Sequence, residues 1–284
     1  MATSSYLPRS TAGDAAQETF DVQNSRVKAA ERVRLTTDDG EQLAAVHLPG
    51  PHEPERPLAV VVAHGFTGSI DRPAVQAVAE ALARHAGVVA FDFRGHGRSS
   101  GHSTLGDKEI LDLDAAVRFA RELGYADVVT CGWSMGGSVV LRHAALLRDV
   151  DAVVSVSAVS RWYYTETRPM RRVHWAVTTR LGRFVSRHLL KTRIAADGWT
   201  PVPESPVEVA PAIAPIPLLV VHGDADHYFP VEHPEALYNA ANEPKELWLL
   251  EGFGHAENAA TPELLERIGV HLGELVAKGR EVAG

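Results

Sequence analysis

The sequence predicts an α/β fold, in which a mostly parallel sheet carries helices on both faces. Short apolar runs alternate with longer amphipathic stretches along most of the chain. This alternation is typical of strands buried on both faces and of the helices that cover them. A hairpin pattern precedes the alternation, and a single long interruption divides it. With 284 residues, 45% of them hydrophobic, the chain can build a sizeable core.

Each element follows from its local pattern. Two alternating stretches around Asp38-Asp39-Gly40 predict a hairpin. Catalytic and binding residues are expected at the carboxyl ends of the parallel strands. The predicted strands are 31–36, 42–48, 58–63, 87–92, 127–130, 152–157, 217–222 and 246–250, and the predicted helices are 73–85, 108–123, 138–147, 233–241 and 261–278.

The interruption between residues 158 and 214 is too long for a plain loop and predicts an inserted helical cap over the strand ends. Within it, Trp175 to Leu190 has a helical pattern, and the last part is rich in proline. The predicted organisation is therefore a flexible tail at 1–26, a first part of the core at 27–157, the cap at 158–214 and a second part of the core at 215–284.

The cap is also basic. Between Arg161 and Arg193, nine basic residues face a single acid, Glu166, in a chain of net charge −8. Two interpretations are open. The arginine stems can cover apolar surface while their heads stay in water, or part of the charge can face the mouth of the site and attract an anionic substrate.

Composition narrows the function classes. The negative net charge argues against a nucleic-acid-binding role. No apolar run approaches the length of a membrane span, and the first 26 residues lack the apolar core of a secretory signal. The single cysteine, Cys131, excludes an intramolecular disulfide and fits a packing role at the end of a core strand. A cytoplasmic protein is expected.

The most informative motif is Gly132-Trp133-Ser134-Met135-Gly136, a G-x-S-x-G sequence between a predicted strand and a predicted helix. A serine on such a tight turn points outward at the end of the sheet, beside the positive end of the helix. Flanking glycines let the backbone turn without a side-chain clash. The motif therefore predicts Ser134 as a presented nucleophile.

A serine nucleophile needs a base and a group that orients the base. His255 follows the last strand within a glycine-containing loop, which favours it over an ordinary surface histidine. The acid follows the preceding strand, where Asp224 and Asp226 compete. Asp226 is preferred because it lies deeper in the loop, whereas Asp224 fits a turn residue that bonds its own backbone. Ser134, Asp226 and His255 are the predicted catalytic residues.

Two backbone N–H donors are needed for the oxyanion. Met135 follows the nucleophile directly, and Phe66 lies in the loop after the third strand. His64, at the start of that loop, is interpreted as a hydrogen-bonding brace in preference to a base or a metal ligand. The scattered His and Asp residues have no compact metal-ligand spacing, so no metal site is predicted.

Five segments together resemble the α/β-hydrolase superfamily: His64-Gly65-Phe66, Asp92 to Ser99, Gly132 to Gly137, Gly223 to Asp226, and Gly254-His255. Within it, the chain is most similar to bacterial feruloyl- and cinnamoyl-esterases and to serine-aminopeptidase-like esterases. The resemblance implies an eight-stranded sheet, the triad and oxyanion hole named above, and no cofactor. It also implies that the Asp92-to-Ser99 segment is a turn signature that fixes a loop.

The predicted function is hydrolysis of a carboxylic ester, or of a thioester or amide, through an acyl-serine. The expected partner is a small-molecule ester, apolar or aromatic, and no oligomeric state is predicted. An acyltransferase or thioesterase could use the same triad, and a ligand-binding protein with little turnover is an alternative of another class. Aromatic side chains beside the site are candidate substrate contacts, although aromatics also simply pack a helical cap. These candidates are Trp133, Trp162, Tyr163 and Trp175.

Overall fold

An eight-stranded sheet forms the centre of the protein in a computed structural model that describes residues 30–51 and 57–283. The strand order is β1-β2-β4-β3-β5-β6-β7-β8. The first two strands form an antiparallel hairpin, and β2 is also antiparallel to β4, whereas every other pair is parallel. The α/β-hydrolase architecture expected from the sequence is confirmed. The tail predicted at 1–26 lies outside the described residues.

All the predicted strands and core helices are present, with ends that shift by a few residues. The strands are β1 (Glu31–Thr36), β2 (Gln42–Leu48), β3 (Leu58–Ala63), β4 (Gly87–Phe91), β5 (Asp127–Trp133), β6 (Ala152–Val156), β7 (Leu218–Gly223) and β8 (Lys245–Leu250). The helices are α1 (Pro73–Leu82), α2 (Glu109–Glu122), α3 (Met135–Leu146), α4 (Arg168–Thr178), α5 (Arg180–Leu189), α6 (Pro206–Val209), α7 (Glu232–Ala240) and α8 (Pro262–Ala283).

Two apolar layers cover the two faces of the sheet. On one face, side chains from α2, α3 and α7 pack on the sheet, for example Leu113 and Leu141. On the other face, α1 and α8 supply residues such as Leu82 and Ile268. Strand β5 is buried along its whole length and contributes alternate side chains to both layers. A continuous apolar run in the sequence corresponds here to a strand covered on both sides.

Parallel register brings the functional loops together. Gly132 of β5 pairs with Ala63 of β3, and Trp133 pairs with Val156 of β6. On the other side of β6, Val156 pairs with Val221 of β7, and Gly223 pairs with Leu250 of β8. The loops that follow β3, β5, β7 and β8 therefore leave the same edge of the sheet.

The segment predicted as the cap contains two consecutive helices, α4 and α5. The single helix expected at 175–190 is wrong, because Thr179 adopts an extended conformation (ψ 149°) that ends α4. Its hydroxyl then accepts a hydrogen bond from the Gly182 N–H at 2.9 Å and caps α5. No helix in the described parts of the chain has the length and apolar character needed to cross a membrane.

Because the backbone is tightly packed at the turn between β5 and α3, adding one methyl group at Gly132 should markedly lower the stability of the protein. A Cβ at Gly132 would overlap the backbone of Gly136, so Gly132→Ala should lower the free energy of unfolding by about 1–3 kcal/mol. Gly273→Ala in α8 is the matched control. A Cβ there meets no atom within 4 Å, and the helix propensity of alanine should stabilise the protein by up to about 1 kcal/mol. Urea unfolding measures both; equal changes would contradict the packing argument.

Candidate active site

Ser134 sits at the sharp turn between β5 and α3. Its φ of 53° lies in the left-handed region, which is uncommon for a residue with a side chain and is maintained here by the surrounding packing. A side chain at Gly136 would overlap the Ala63 carbonyl at the end of β3. Glycine at this position therefore allows the start of α3 to lie directly against the neighbouring strand, as the motif predicted.

A chain of two hydrogen bonds joins the three predicted catalytic residues. Ser134 Oγ lies 2.9 Å from His255 Nε2, and His255 Nδ1 lies 2.7 Å from Asp226 Oδ2. The carboxylate accepts from Nδ1–H, which leaves Nε2 as the acceptor for the serine hydroxyl. The structure thus places these side chains, which are far apart in the sequence, in the order that activation of a serine requires.

Asp226 is fully buried but well supplied with hydrogen-bond donors. Its Oδ1 accepts the backbone N–H groups of Tyr228 at 2.8 Å and Phe229 at 3.1 Å. Burial raises the pKa of Asp226, but the hydrogen bond and charge of His255 and these two N–H groups outweigh burial and hold the pKa below its usual range. The carboxyl group is therefore ionised at neutral pH.

The competing acid, Asp224, has a different role. Its Oδ1 accepts the Gly252 N–H at 2.7 Å, which ties the loop after β7 to the loop after β8. His222 also lies near Asp226, with Nε2 2.7 Å from the Phe229 carbonyl and 3.5 Å from Asp226 Oδ2. Burial lowers the pKa of His222, so it is a neutral donor that supports the acid loop.

Two aromatic rings fix the imidazole of His255. The Tyr228 ring stacks on it at a centroid distance of 4.2 Å, and Phe229 meets it nearly edge-on at 5.4 Å. The His255 side chain is only 17% exposed. The loop after β7 therefore supplies both the hydrogen-bond partner of the histidine and the surfaces that restrict its ring.

The loop after β3 lies against the nucleophile. A Cβ at Gly65 would come within 3.3 Å of Ser134 Cβ. His64 is fully buried and braces this loop, since Nδ1 lies 2.7 Å from the Gly65 carbonyl and Nε2 accepts the Phe93 N–H at 3.2 Å. Among the described residues, the N–H groups of Phe66 and Met135 have no hydrogen-bond partner, and both residues line the cavity described below.

Glu257 is a polar residue of the site that the sequence analysis missed. The residue is 8% exposed, and Oε1 accepts the Gly65 N–H at 3.1 Å. The other oxygen, Oε2, is buried without a hydrogen-bond partner among the described residues. Glu257 follows His255 by two positions, so its carboxyl group links the histidine loop to the loop beside Ser134. In the sequence, only its place two positions after His255 indicates that Glu257 lies near the site.

A cavity of about 1250 Å³ opens above Ser134 and His255. Of the predicted substrate contacts, Trp162, Tyr163 and Trp175 line it. The prediction for Trp133 is wrong. Its side chain is 1% exposed and packs in the layer with α1 and α8, because alternation along β5 directs it away from the site.

Trp199 also lines this cavity, although the sequence analysis did not select it. Its ring lies 5.1 Å from that of Trp162, and both indole N–H groups donate to backbone carbonyls, of Thr104 and Pro203. Because their only polar groups are already satisfied, these two rings offer mainly apolar surface to a ligand.

Three of the nine basic residues of the cap line the cavity: Arg161, Arg172 and Arg183. Arg161 pairs with Glu166 at 2.8 Å, and Arg183 donates to the carbonyls at the end of α4. The Arg172 guanidinium forms no hydrogen bond or ion pair with any described residue. The structure thus brings two cations of the cap without an ion-pair partner among the described residues, Arg172 and Arg183, to the cavity, and most of the basic residues lie elsewhere on the cap.

A second serine–histidine pair is not part of the cavity. Ser160 Oγ lies 2.8 Å from His233 Nδ1, but both residues are about 2% exposed and neither lines the cavity. Burial, followed by the charge of Arg161, lowers the pKa of His233 to about 4. This pair joins the base of the cap segment to α7 and has no access for a substrate.

The segment from Asp92 to Ser99 holds a loop in place. Asp92 accepts the N–H groups of Ile70 at 2.7 Å and Arg98 at 2.9 Å, and its carbonyl accepts the Ser99 hydroxyl. His96 is fully buried, and burial together with the charge of His64 lowers its pKa to about 3. Within the described ranges, no group of three or more His, Cys, Asp or Glu side chains could hold a metal ion.

Comparison with known proteins agrees with this architecture. A family model described as the alpha/beta hydrolase fold matches residues 59–195, which include β3, β5 and the nucleophile turn. The chain has the α/β-hydrolase fold. The uncharacterised protein YfhR of Escherichia coli K12 is 28% identical over 237 residues, which cover 81% of this chain and 74% of YfhR.

Solved structures with this fold include esterases. The esterase Pf2001 of Pyrococcus furiosus is 25% identical, with a TM-score of 0.67 over 86% of this chain and 92% of its own. Est1E of Butyrivibrio proteoclasticus, solved with ferulic acid, is 24% identical, with a TM-score of 0.60 over 86% of this chain and 99% of its own. At that identity the likeness to Est1E shows the fold alone. Together the fold and the esterase neighbours support a serine hydrolase.

The contrast between the two acids is testable. Asp226→Asn should lower kcat by about 10³-fold or more, because an amide favours the wrong imidazole tautomer and cannot stabilise the imidazolium. Asp224→Asn should lower it less than about ten-fold, because Asp224 only joins two loops. Steady-state hydrolysis of a chromogenic ester measures both. A larger loss in Asp224→Asn would reverse the assignment of the acid.

Glu257 should act by positioning the loop beside Ser134. Glu257→Ala removes the acceptor of the Gly65 N–H and should lower kcat about ten-fold, with little change in KM, because the loop that carries Phe66 loses its tie. Glu257→Gln keeps an acceptor oxygen and should restore most of the activity. A raised KM with unchanged kcat in Glu257→Ala, or no rescue by glutamine, would contradict this role.

Proposed function

We propose that the protein is a serine carboxylesterase that works through an acyl-serine intermediate. The supporting observation is the hydrogen-bonded chain from Ser134 through His255 to Asp226 at the floor of a large cavity. A buried ionised carboxylate, an imidazole restricted by two aromatic rings and an accessible hydroxyl are the parts that acyl transfer to serine requires.

In the first half of the proposed reaction, Ser134 Oγ attacks the carbonyl carbon of the ester while His255 Nε2 takes its proton. Asp226 stabilises the imidazolium that forms. The negative charge on the carbonyl oxygen is stabilised by the N–H groups of Phe66 and Met135, whose lack of partners suits this role. Nε2 then donates its proton to the alkoxide, and the alcohol leaves.

In the second half, water attacks the acyl-serine while His255 Nε2 accepts a proton from it. The new tetrahedral intermediate collapses, Ser134 Oγ recovers the proton from Nε2, and the carboxylic acid leaves. An acyltransferase or thioesterase would differ only in the molecule that resolves the acyl-serine or in the group that leaves, so carboxylester hydrolysis remains the proposal that best suits the esterase neighbours.

The segment 158–214 is proposed to act as a cap that binds the substrate. Trp162, Trp175 and Trp199 line the cavity with large apolar surface, which favours an ester with an apolar or aromatic portion. Tyr163 also lines the cavity but is 64% exposed, so we assign it a place at the mouth. The cytoplasmic location expected from the composition stays a prediction.

Covalent labelling tests the proposed nucleophile and separates an enzyme from a ligand-binding protein. A fluorophosphonate probe should label the protein, and Ser134→Ala should abolish labelling and lower kcat on the order of 10³-fold or more. Ser138→Ala is the matched control, because Ser138 lines the same cavity and its hydroxyl makes only a 3.4 Å contact with the Val159 carbonyl. Labelling of Ser134→Ala at the wild-type level would rule out the serine mechanism.

A further inference from the structure

The outer face of α5 exposes large apolar side chains that no described part of the chain covers. Leu181 is 63% exposed, Phe184 is 60% exposed and Leu189, at the last position of the helix, is 74% exposed. Positions 181 and 184 are three apart and therefore share one side of the helix. Isolated exposed leucines are ordinary, but a group of this kind on one short helix indicates a binding surface.

The same helix has a second, inward face. Arg183, Val185, Ser186 and Leu190 line the cavity above Ser134, whereas Leu181, Phe184 and the arginines at 180 and 187 do not. Gly182 and Ser186 are buried against the rest of the cap segment. The helix thus separates the cavity from the surroundings, with an apolar face on its outer side.

Exposed cations accompany the apolar side chains. Arg180 and Arg187 are exposed, and their guanidinium groups form no hydrogen bond or ion pair with the described residues. Lys191 is exposed directly after the helix. Within the basic stretch from Arg161 to Arg193, the single acid, Glu166, is already paired with Arg161. No acidic residue of that stretch is therefore left to pair with Arg180, Arg187 or Lys191.

Charge and symmetry favour one kind of occupant. A symmetric dimer through this face would bring the exposed Arg180, Arg187 and Lys191 of one copy close to the same residues of another. Docking on the acidic body of a second copy would be a heterologous contact, which generates rings or open chains and not a closed dimer. Apolar side chains surrounded by unpaired cations instead suit the surface of an anionic bilayer, where the apolar groups enter the acyl boundary and the cations meet lipid phosphates.

We propose that the outer face of α5 docks the protein on anionic lipid bilayers, with Leu181 and Phe184 inserted and Arg180 and Arg187 against the headgroups. Resting on the esterase function proposed above, this docking assigns the substrate class as amphiphilic esters that partition into such a surface. The cap helix that contacts the bilayer also lines the cavity, so an ester leaving the bilayer has a short path to Ser134.

Vesicle co-sedimentation with the Ser134→Ala protein tests the docking without any contribution from hydrolysis. Vesicles of equal parts phosphatidylcholine and phosphatidylglycerol should bind the protein at least about ten-fold more strongly than vesicles of phosphatidylcholine alone. Adding Leu181→Ser with Phe184→Ser should weaken binding by about ten-fold, and Arg180→Glu with Arg187→Glu should weaken it at least as much. Binding should also fall as salt rises from about 20 to 500 mM.

The controls carry matched changes away from α5. Val270→Ser on α8 removes an apolar side chain that is 60% exposed, and Arg72→Glu reverses an exposed charge beside α1. Both should bind vesicles like the parent protein. All these side chains are exposed, so the thermal unfolding midpoints should stay close to that of the parent.

Three results would overturn the docking proposal: no binding to anionic vesicles, equal binding by the Leu181/Phe184 variant, or self-association that the variants abolish while vesicles bind nothing. Esterase activity itself is measured separately, on the wild-type protein and with a water-soluble short-chain ester, so that a failure of the esterase proposal can be distinguished from a failure of the docking proposal. That measurement should be the same in the wild type and in the Leu181/Phe184 variant, because neither residue lines the cavity.

Discussion

The close approach of the turn after β5 to the loop after β3 determines the position of Ser134, around which the rest of the site is arranged. Backbone fills the space where a Cβ of Gly132 or Gly136 would lie, and a Cβ at Gly65 would touch Ser134. This proximity leaves Ser134 in a left-handed conformation at the start of α3. It also keeps the loop that carries Phe66 beside Ser134. The proposed oxyanion donors and the proposed nucleophile therefore depend on the same backbone contact.

The remaining parts of the site come from the opposite half of the sheet and need a separate restraint. Asp226 is buried, which by itself would favour its neutral form, but His255 and two backbone N–H groups keep it charged. The same loop stacks Tyr228 on the imidazole. Glu257 then ties the histidine loop to the loop that carries Phe66. The ionisation of Asp226, the orientation of the His255 ring and the position of the loop that carries Phe66 are thus set by contacts of the loops after β7 and β8.

Local sequence patterns predicted the strands, the order of the sheet helices and the residues of the hydrogen-bonded chain. These features depend on short-range constraints: glycines at a turn, apolar runs, and loops that follow parallel strands. The direction of the Trp133 side chain was predictable, because Trp133 is two positions from Cys131 in β5 and shares its face of the strand. Trp133 was predicted as a substrate contact only because it precedes Ser134 in the sequence, and adjacency in a strand does not place two side chains on the same face. The role of Glu257 depends on a contact with Gly65, 192 positions away, which no local pattern encodes.

The cap segment was the least predictable part, and the reason is physical. Its helices are short, and the sequence between Trp175 and Leu190 is helical by pattern on both sides of Thr179. Only the tertiary position of the second helix makes a break and a new cap at Thr179 favourable. That break also lets α5 turn one face to the cavity and leave Leu181 and Phe184 outside. A single straight helix continuing from α4 would not lie in the position that α5 takes. The extended conformation of Thr179 is therefore the reason that α5 has one face towards the cavity and one exposed face.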